Sequence, residues 1–281
     1  MNYFDLHCDT AFEIYKNKTD FYDSSLAVNF SKIPFRKWCQ TFAFFIKDDT
    51  KEPFVLYKNM LSYFTDKMNI LPQPLEYILA VEGGAVLEKE IDRLYILKKD
   101  KIKFLSLAWN GETALAGGAY SDKGLTRLGE KAIVLMNRLK IACDLSHLNE
   151  KSFKKAVELS EYPLATHSNC YDIRQHKRNL KDEQIRAVAE KKGIIGLCFY
   201  PEFLKGDIFE SIYENIFHLL EKGYEDIIAI GSDFDGGEID KKLNNIAKVP
   251  TLYRYLEDKG IENRLLSKIF YENAEKFVAK L

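Results

Sequence analysis

Apolar residues along this chain gather in eight short runs separated by longer stretches with a helical period. The runs are Tyr3–His7, Thr41–Ile46, Tyr77–Val81, Lys103–Leu107, Ile141–Leu145, Leu164–Thr166, Ile194–Phe199 and Ile227–Ile230. Several are nearly continuous in apolar side chains, the pattern of parallel strands buried on both faces. Between them, Asn149 can cap a helix in which Phe153, Ala156 and Val157 recur at i, i+3, i+4, with Pro163 beyond its end. Thr126 can cap another that carries Ile133, Val134 and Leu139. Ile185, Val188 and Ala189 make a third stripe, stopped by Gly193. Pro53 to Leu71 and Ile208 to Glu221 read as longer helices, and Leu252 to Lys280 as terminal helices packed on the outside.

Eight strands alternating with helices predict an α/β fold of the (β/α)8 TIM-like barrel type with additional C-terminal helices. An open, doubly wound sheet is the rival arrangement. No repeat, low-complexity segment or Pro/Gly/Ser linker divides the chain, so residues 1–281 are expected to form a single domain. The glycine-rich segment Gly111–Gly124 follows the fourth strand and reads as a long βα loop, the kind that builds active sites.

Size and charge narrow the function classes. The 281 residues suit one barrel, which typically takes about 250. Lys plus Arg number 41 and Asp plus Glu 42, a net charge of -1 that argues against nucleic acid or an anionic membrane as partner. The chain opens on a core strand rather than a signal peptide, and no apolar run reaches the roughly 18 residues of a membrane span. The five cysteines form no CxxC pair and most sit in apolar runs, which suits free thiols in a reducing cytoplasm. With 16 Tyr, 19 Phe and 2 Trp the chain has aromatic surface for a core or for a homodimer interface.

Chemistry concentrates at the strand ends. Three of the five histidines close a predicted strand: His7 the first, His147 the fifth and His167 the sixth. Glu82 closes the third strand and Asp233 the eighth. His7 and Asp9 are two apart, which on a strand puts imidazole and carboxylate on one side, with Cys8 facing the core. In a barrel all these ends meet on one face. His7, Asp9, Glu82, His147, His167 and Asp233 are too many N/O ligands for one tetrahedral zinc and suit two metals with a bridging carboxylate. Any one of them alone reads as an ordinary strand-end polar residue or cap; the coincidence of six carries the argument. His218 lies in a helical pattern and reads as structural, while His176 lies in a basic loop and is open to either reading.

The ordered motifs resemble the renal (membrane) dipeptidase family of zinc metallopeptidases over nearly the whole chain. They are Asp5-Leu6-His7-Cys8-Asp9, Val81-Glu82-Gly83-Gly84, Gly124-Leu125-Thr126 through Met136-Asn137-Arg138-Leu139 to Asp144-Leu145-Ser146-His147, Thr166-His167-Ser168, Lys177-Arg178-Asn179-Leu180, and Gly231-Ser232-Asp233-Phe234-Asp235-Gly236. The resemblance implies two Zn2+ per chain, with His7 and Asp9 on one, His147 and His167 on the other, and Glu82 bridging. It implies that Asp233 handles the proton and that Arg178 binds the carboxylate of a small dipeptide, cleaved by a hydroxide between the metals. One departure stands out. The family's best-known members carry a substrate-binding histidine after the fourth strand, and Leu107-Ala108-Trp109-Asn110-Gly111-Glu112 holds Trp109 there, whose indole N–H donates a hydrogen bond but cannot act as an acid. Other metal-dependent barrel amidohydrolases, or a metal- and peptide-binding protein without turnover, are the competing readings.

Overall fold

In the computed structural model, which describes residues 1–71 and 75–281, eight parallel strands close in sequence order into a barrel. They are β1 (Tyr3–Cys8), β2 (Trp38–Phe45), β3 (Glu76–Glu82), β4 (Ile102–Ser106), β5 (Ala142–Asp144), β6 (Pro163–Ala165), β7 (Ile194–Leu197) and β8 (Ile228–Ile230). β1 pairs with β8 through Asp5 and Ile230, which completes the ring. All eight runs of the sequence are strands, with ends displaced by at most three residues. The closed ring excludes the open doubly wound sheet.

The helices, in order, are α1 (Thr10–Asn17), α2 (Pro53–Asn69), α3 (Arg93–Lys99), α4 (Arg127–Leu139), α5 (Glu150–Leu159), α6 (Asp182–Glu190), α7 (Ile208–Glu221), α8 (Val249–Asp258), α9 (Asn263–Ser267) and α10 (Asn273–Val278). Thr126 accepts a hydrogen bond from the Gly129 N–H and Asn149 from the Ser152 N–H, so both expected caps form. α1 and α3 were not anticipated. α1 has no side-chain cap and only eight residues, and α3 has seven, so neither carries a strong periodic signal.

Two apolar layers result. One takes a residue from every strand, including Phe4, Ala43, Ala80, Phe104, Leu164 and Ala229, and so fills the barrel; Tyr271, Ala274 and Phe277 of the C-terminal helices join it. The other lies between barrel and helices and contains Tyr3, Cys8, Phe42 and Phe44. In β1, Phe4 and Leu6 belong to the inner layer, yet Cys8 belongs to the outer one. A register irregularity between Asp5 and Cys8 breaks the alternation. That irregularity turns His7, rather than Cys8, toward the barrel mouth, which is how a bulge re-aims a side chain.

Candidate metal centre and active site

Glu82 is the last residue of β3, and its two oxygens face two different histidine groups. Oε1 lies 2.7 Å from His147 Nε2 and 3.5 Å from His167 Nε2. Oε2 lies 3.7 Å from His7 Nε2. His7 Nε2 is also 3.5 Å from Asp9 Oδ2 and 3.9 Å from Asp233 Oδ1. Two donor sets therefore exist side by side, His7–Asp9–Asp233 and Glu82–His147–His167, with the donor atoms of each within 4.8 Å of one another. All six residues are brought together, and all but Asp233 are buried.

The backbone bends to make this possible. Gly83 follows Glu82 with φ +126°, and a Cβ there would sit 1.9 Å from the Ile46 carbonyl oxygen. A Cβ on Gly236 would fall 2.3 Å from Asp233 Oδ1 and 2.5 Å from Asp9 Oδ2, so only glycine leaves that space free. His147, Asp233 and Asp235 all hold left-handed φ values of 70°, 64° and 65°. Each costs on the order of 1–3 kcal/mol, and such strain clusters at functional sites.

Hydrogen bonds behind the donors fix which nitrogen faces inward. The amide oxygen of Asn110 accepts from His147 Nδ1 at 3.0 Å. The Thr166 hydroxyl accepts from His167 Nδ1 at 2.8 Å and donates to Asp144 Oδ2 at 2.7 Å. His7 Nδ1 lies 3.4 Å from the same hydroxyl. With Nδ1 of His147 and His167 donating outward, their Nε2 atoms and that of His7 are turned toward one another, as second-shell partners of metal ligands arrange it. His147 and His167 then bring two such nitrogens to 2.8 Å. His7 Nε2 and Asp9 Oδ1 are buried without a hydrogen-bond partner. Buried, convergent, unpaired N and O donors fit divalent cations of the zinc type.

The charges agree with that fit. Burial works against protonation of His7, but Glu82 and Asp9 outweigh it and hold the imidazole well above its ordinary value. Burial would raise Glu82, but His7 and His147 hold it well below the usual carboxylate range. Burial, reinforced by Arg178, lowers His147 to about 4, and burial takes His167 well below its ordinary value. Burial lifts Asp233 to about 8, with Asp9 and Glu82 pushing the same way and His7 opposing.

Asp9, Glu82, His147 and Asp233 floor a cleft of about 450 Å3 at the C-terminal end of the strands. Arg178 and Trp109 both line it. Arg178 is buried, donates from Nη2 to the His167 carbonyl at 3.4 Å and lies 5.2 Å above the Phe203 ring. Its Nε has no partner. The Trp109 ring stands 5.9 Å from that of His147. Sequence reasoning did not single out Asn110, Thr166, Tyr120, Tyr200 or Phe203, which support or line the cleft; their types carry no ligand signal, and only the loop positions hinted at them. His218 lies outside: its Nε2 meets Asp182 at 2.8 Å, and Lys222 occupies the other Asp182 oxygen at 2.6 Å. His176 accepts from the Arg178 N–H at 3.2 Å and so shapes the loop that carries Arg178.

A closed (β/α)8 barrel with paired His/carboxylate sets at its C-terminal mouth defines a metal-dependent hydrolase. Residues 54–280 match the model of the membrane dipeptidase family, peptidase family M19, and the chain belongs to that family. It is a metal-dependent dipeptidase. Over 215 residues it is 34% identical to an uncharacterized protein in the pqqA 5′ region of Klebsiella pneumoniae, covering 71% of this chain and 79% of that one. Over 183 residues it is 29% identical to an uncharacterized dipeptidase of Schizosaccharomyces pombe, 61% of this chain but 45% of that protein. A solved M19 metallopeptidase, dipeptidase AC, superposes with a TM-score of 0.91 at 23% identity over 99% and 98% of the two chains. A metallopeptidase from Rhodobacter sphaeroides, solved with a phosphinate mimic of L-Ala-D-Ala, superposes with a TM-score of 0.88 at 22% identity over 99% of both. Among the described residues no helix is long and apolar enough to cross a membrane.

Proposed function

We propose that this dipeptidase is a dinuclear zinc enzyme that cleaves small dipeptides with a free carboxylate, including those with a D-residue at the C-terminal position. The observation that carries the proposal is Glu82, one oxygen directed to His147 and His167 and the other to His7. His7 and Asp9 would hold one zinc and His147 and His167 the other, with Glu82 shared between them. Bound zinc supplies a water acidic enough to attack at neutral pH and polarises the scissile carbonyl.

The chain's own residues do the rest. In the metal-free protein Asp233 is held up to about 8, and the cations beside it would draw it down to the carboxylate that can accept the proton of the attacking water and pass it to the leaving amine. Arg178 offers a buried, planar cation to the substrate carboxylate and so orients the peptide. Trp109 forms part of the wall beside His147 and contributes shape and one N–H donor in place of an acid. The mimic of L-Ala-D-Ala carried by the R. sphaeroides protein supports the D-residue. Five free, buried thiols support a reducing, cytoplasmic setting. A homodimer is part of the reading, supported by the exposed Tyr95 and Val134 that share one surface hollow on α3 and α4.

Metal analysis of the purified protein is expected to find close to two zinc ions per chain, and chelation to abolish dipeptide cleavage, with activity restored by zinc. A metal-free preparation that is folded and fully active would overturn the proposal.

A further inference from the structure

The cleft has two unlike halves. Phe12 follows β1, Phe45 ends β2 and Trp109 follows β4, so the barrel order puts all three on one side of the mouth. Their rings form one chain: Phe12 and Phe45 meet edge to face at 5.3 Å, and Phe45 and Trp109 at 5.1 Å. Each ring is half-buried, leaving a face toward the cleft. Arg178 follows β6, and Tyr200 and Phe203 follow β7, on the opposite side. The metal donors lie between the halves.

The wall is apolar and fixed. Asp48 accepts from the backbone N–H of Trp109 at 2.8 Å and from that of Gly111 at 2.6 Å, which pins the loop that carries the indole. The charged residues at its rim are already engaged, Glu13 with Lys16 at 2.9 Å and Lys47 with Asp49 at 3.2 Å. A preorganised aromatic surface gains binding energy from apolar side chains and offers no partner to a carboxylate, while Lys16 Nζ already lies 5.6 Å over the Phe12 ring as its cation.

We infer that the wall of Phe12, Phe45 and Trp109 is the subsite for the side chain of the substrate's N-terminal residue, and that it selects aromatic or large aliphatic residues there. The inference rests on the dipeptidase reading above, because Arg178 sets the direction: with the carboxylate on Arg178 and the scissile bond over Glu82, the N-terminal side chain points toward β1, β2 and β4. Burying such a side chain against the rings is expected to raise kcat/KM on the order of tenfold or more over alanine.

The test is a dipeptide panel with one constant C-terminal residue and Phe, Leu, Ala, Asp or Lys at the N-terminal position, run on the zinc-loaded enzyme. The expected order is Phe and Leu above Ala, with Asp and Lys lowest. Phe45→Ala and Phe12→Ala should each narrow the Phe-to-Ala ratio toward one; the wild-type panel decides alone where a variant does not fold. Cleavage of all dipeptides at similar rates, or a preference for a charged N-terminal residue, would overturn the subsite and leave the dipeptidase reading intact. No cleavage of any dipeptide by zinc-loaded protein would overturn both.

Discussion

Replacing Arg178 by methionine should damage catalysis and strengthen the fold at the same time. Arg178 is 4% exposed, and among the described residues the only hydrogen bond of its guanidinium runs from Nη2 to a backbone carbonyl at 3.4 Å. Its Nε is unpaired, and among the described residues no carboxylate oxygen comes within the 4.0 Å of an ion pair. Burial pulls its pKa down, and Cys198, Glu82, Asp233 and Asp144 offset this only from a distance. A buried cation without a partner is costly, and replacing it with an apolar chain of similar length is expected to stabilise the substrate-free protein by about 1–3 kcal/mol. Near 2–4 °C per kcal/mol, that is a rise in Tm of several degrees. The substrate carboxylate is the partner that the site lacks. Losing one member of such a buried pair costs roughly 2–5 kcal/mol, so kcat/KM for a free dipeptide should fall about 30-fold to several thousand-fold. The C-terminal amide of the same dipeptide has no charge to lose and should fall far less. Steady-state kinetics on the acid and amide pair, with thermal denaturation of both proteins, read out the two effects. Equal losses on both substrates would remove Arg178 from carboxylate binding. A variant several kcal/mol less stable would show that the guanidinium serves the fold instead.

Zinc uptake should release protons. In the metal-free protein at pH 7, His7 is held protonated by Glu82 and Asp9, and Asp233, at about 8, is mostly protonated, whereas His147 at about 4 and the still depressed His167 are neutral. His7 must deprotonate to bind metal and the cations beside Asp233 should drive off its proton too, so about two protons should leave per chain and affinity should rise with pH through about 8; calorimetry in buffers of different ionisation enthalpy measures this, and proton-neutral binding would refute it. Thr166→Val removes the hydroxyl that receives His167 Nδ1 and stands 3.4 Å from His7 Nδ1, and should weaken zinc binding about 10–100-fold while Thr166→Ser retains it. Competition with a chelating dye measures both, and an unchanged Kd in the valine variant would show that the hydroxyl positions neither imidazole.

The barrel was legible because its strands are buried on both faces. Runs such as Ile194–Leu197 and Ile228–Ile230 have no polar alternation to confuse their reading, and the helical stretches between the runs keep the strand count distinct. The short helices were not. Thr10–Asn17 begins directly after Asp9, so the residues that open it look like the tail of the preceding strand, and no side chain caps it. The convergence of His7, Glu82, His147, His167 and Asp233 followed from topology, because strand ends in a barrel share one face. Their supports did not follow. Asn110 and Thr166 act through geometry that depends on loops closing in space, and neither residue type announces it.

The way His7 is aimed shows why a correct expectation can rest on an incomplete reason. Strict alternation along β1 from Phe4 and Leu6, both inside the barrel, would turn residue 8 inward and residue 7 out. The irregularity between Asp5 and Cys8 reverses the phase, and Asp5 stabilises it by accepting from the His7 N–H at 3.2 Å and the Ser232 N–H at 2.8 Å. The same region holds Asp233 and Asp235 in left-handed backbone and requires Gly236 to lack a side chain. Each feature breaks a local rule and costs stability, and all of them sit within reach of His7, Asp9 and Asp233. Asp235 also serves the fold, accepting from the Thr10 hydroxyl at 2.6 Å and from the Ala27 N–H at 2.7 Å. On the proposed reading, a cation held by His7 and Asp9 beside Asp233 would pair the buried donors, offset the crowded carboxylates and return the energy that the strained backbone consumes.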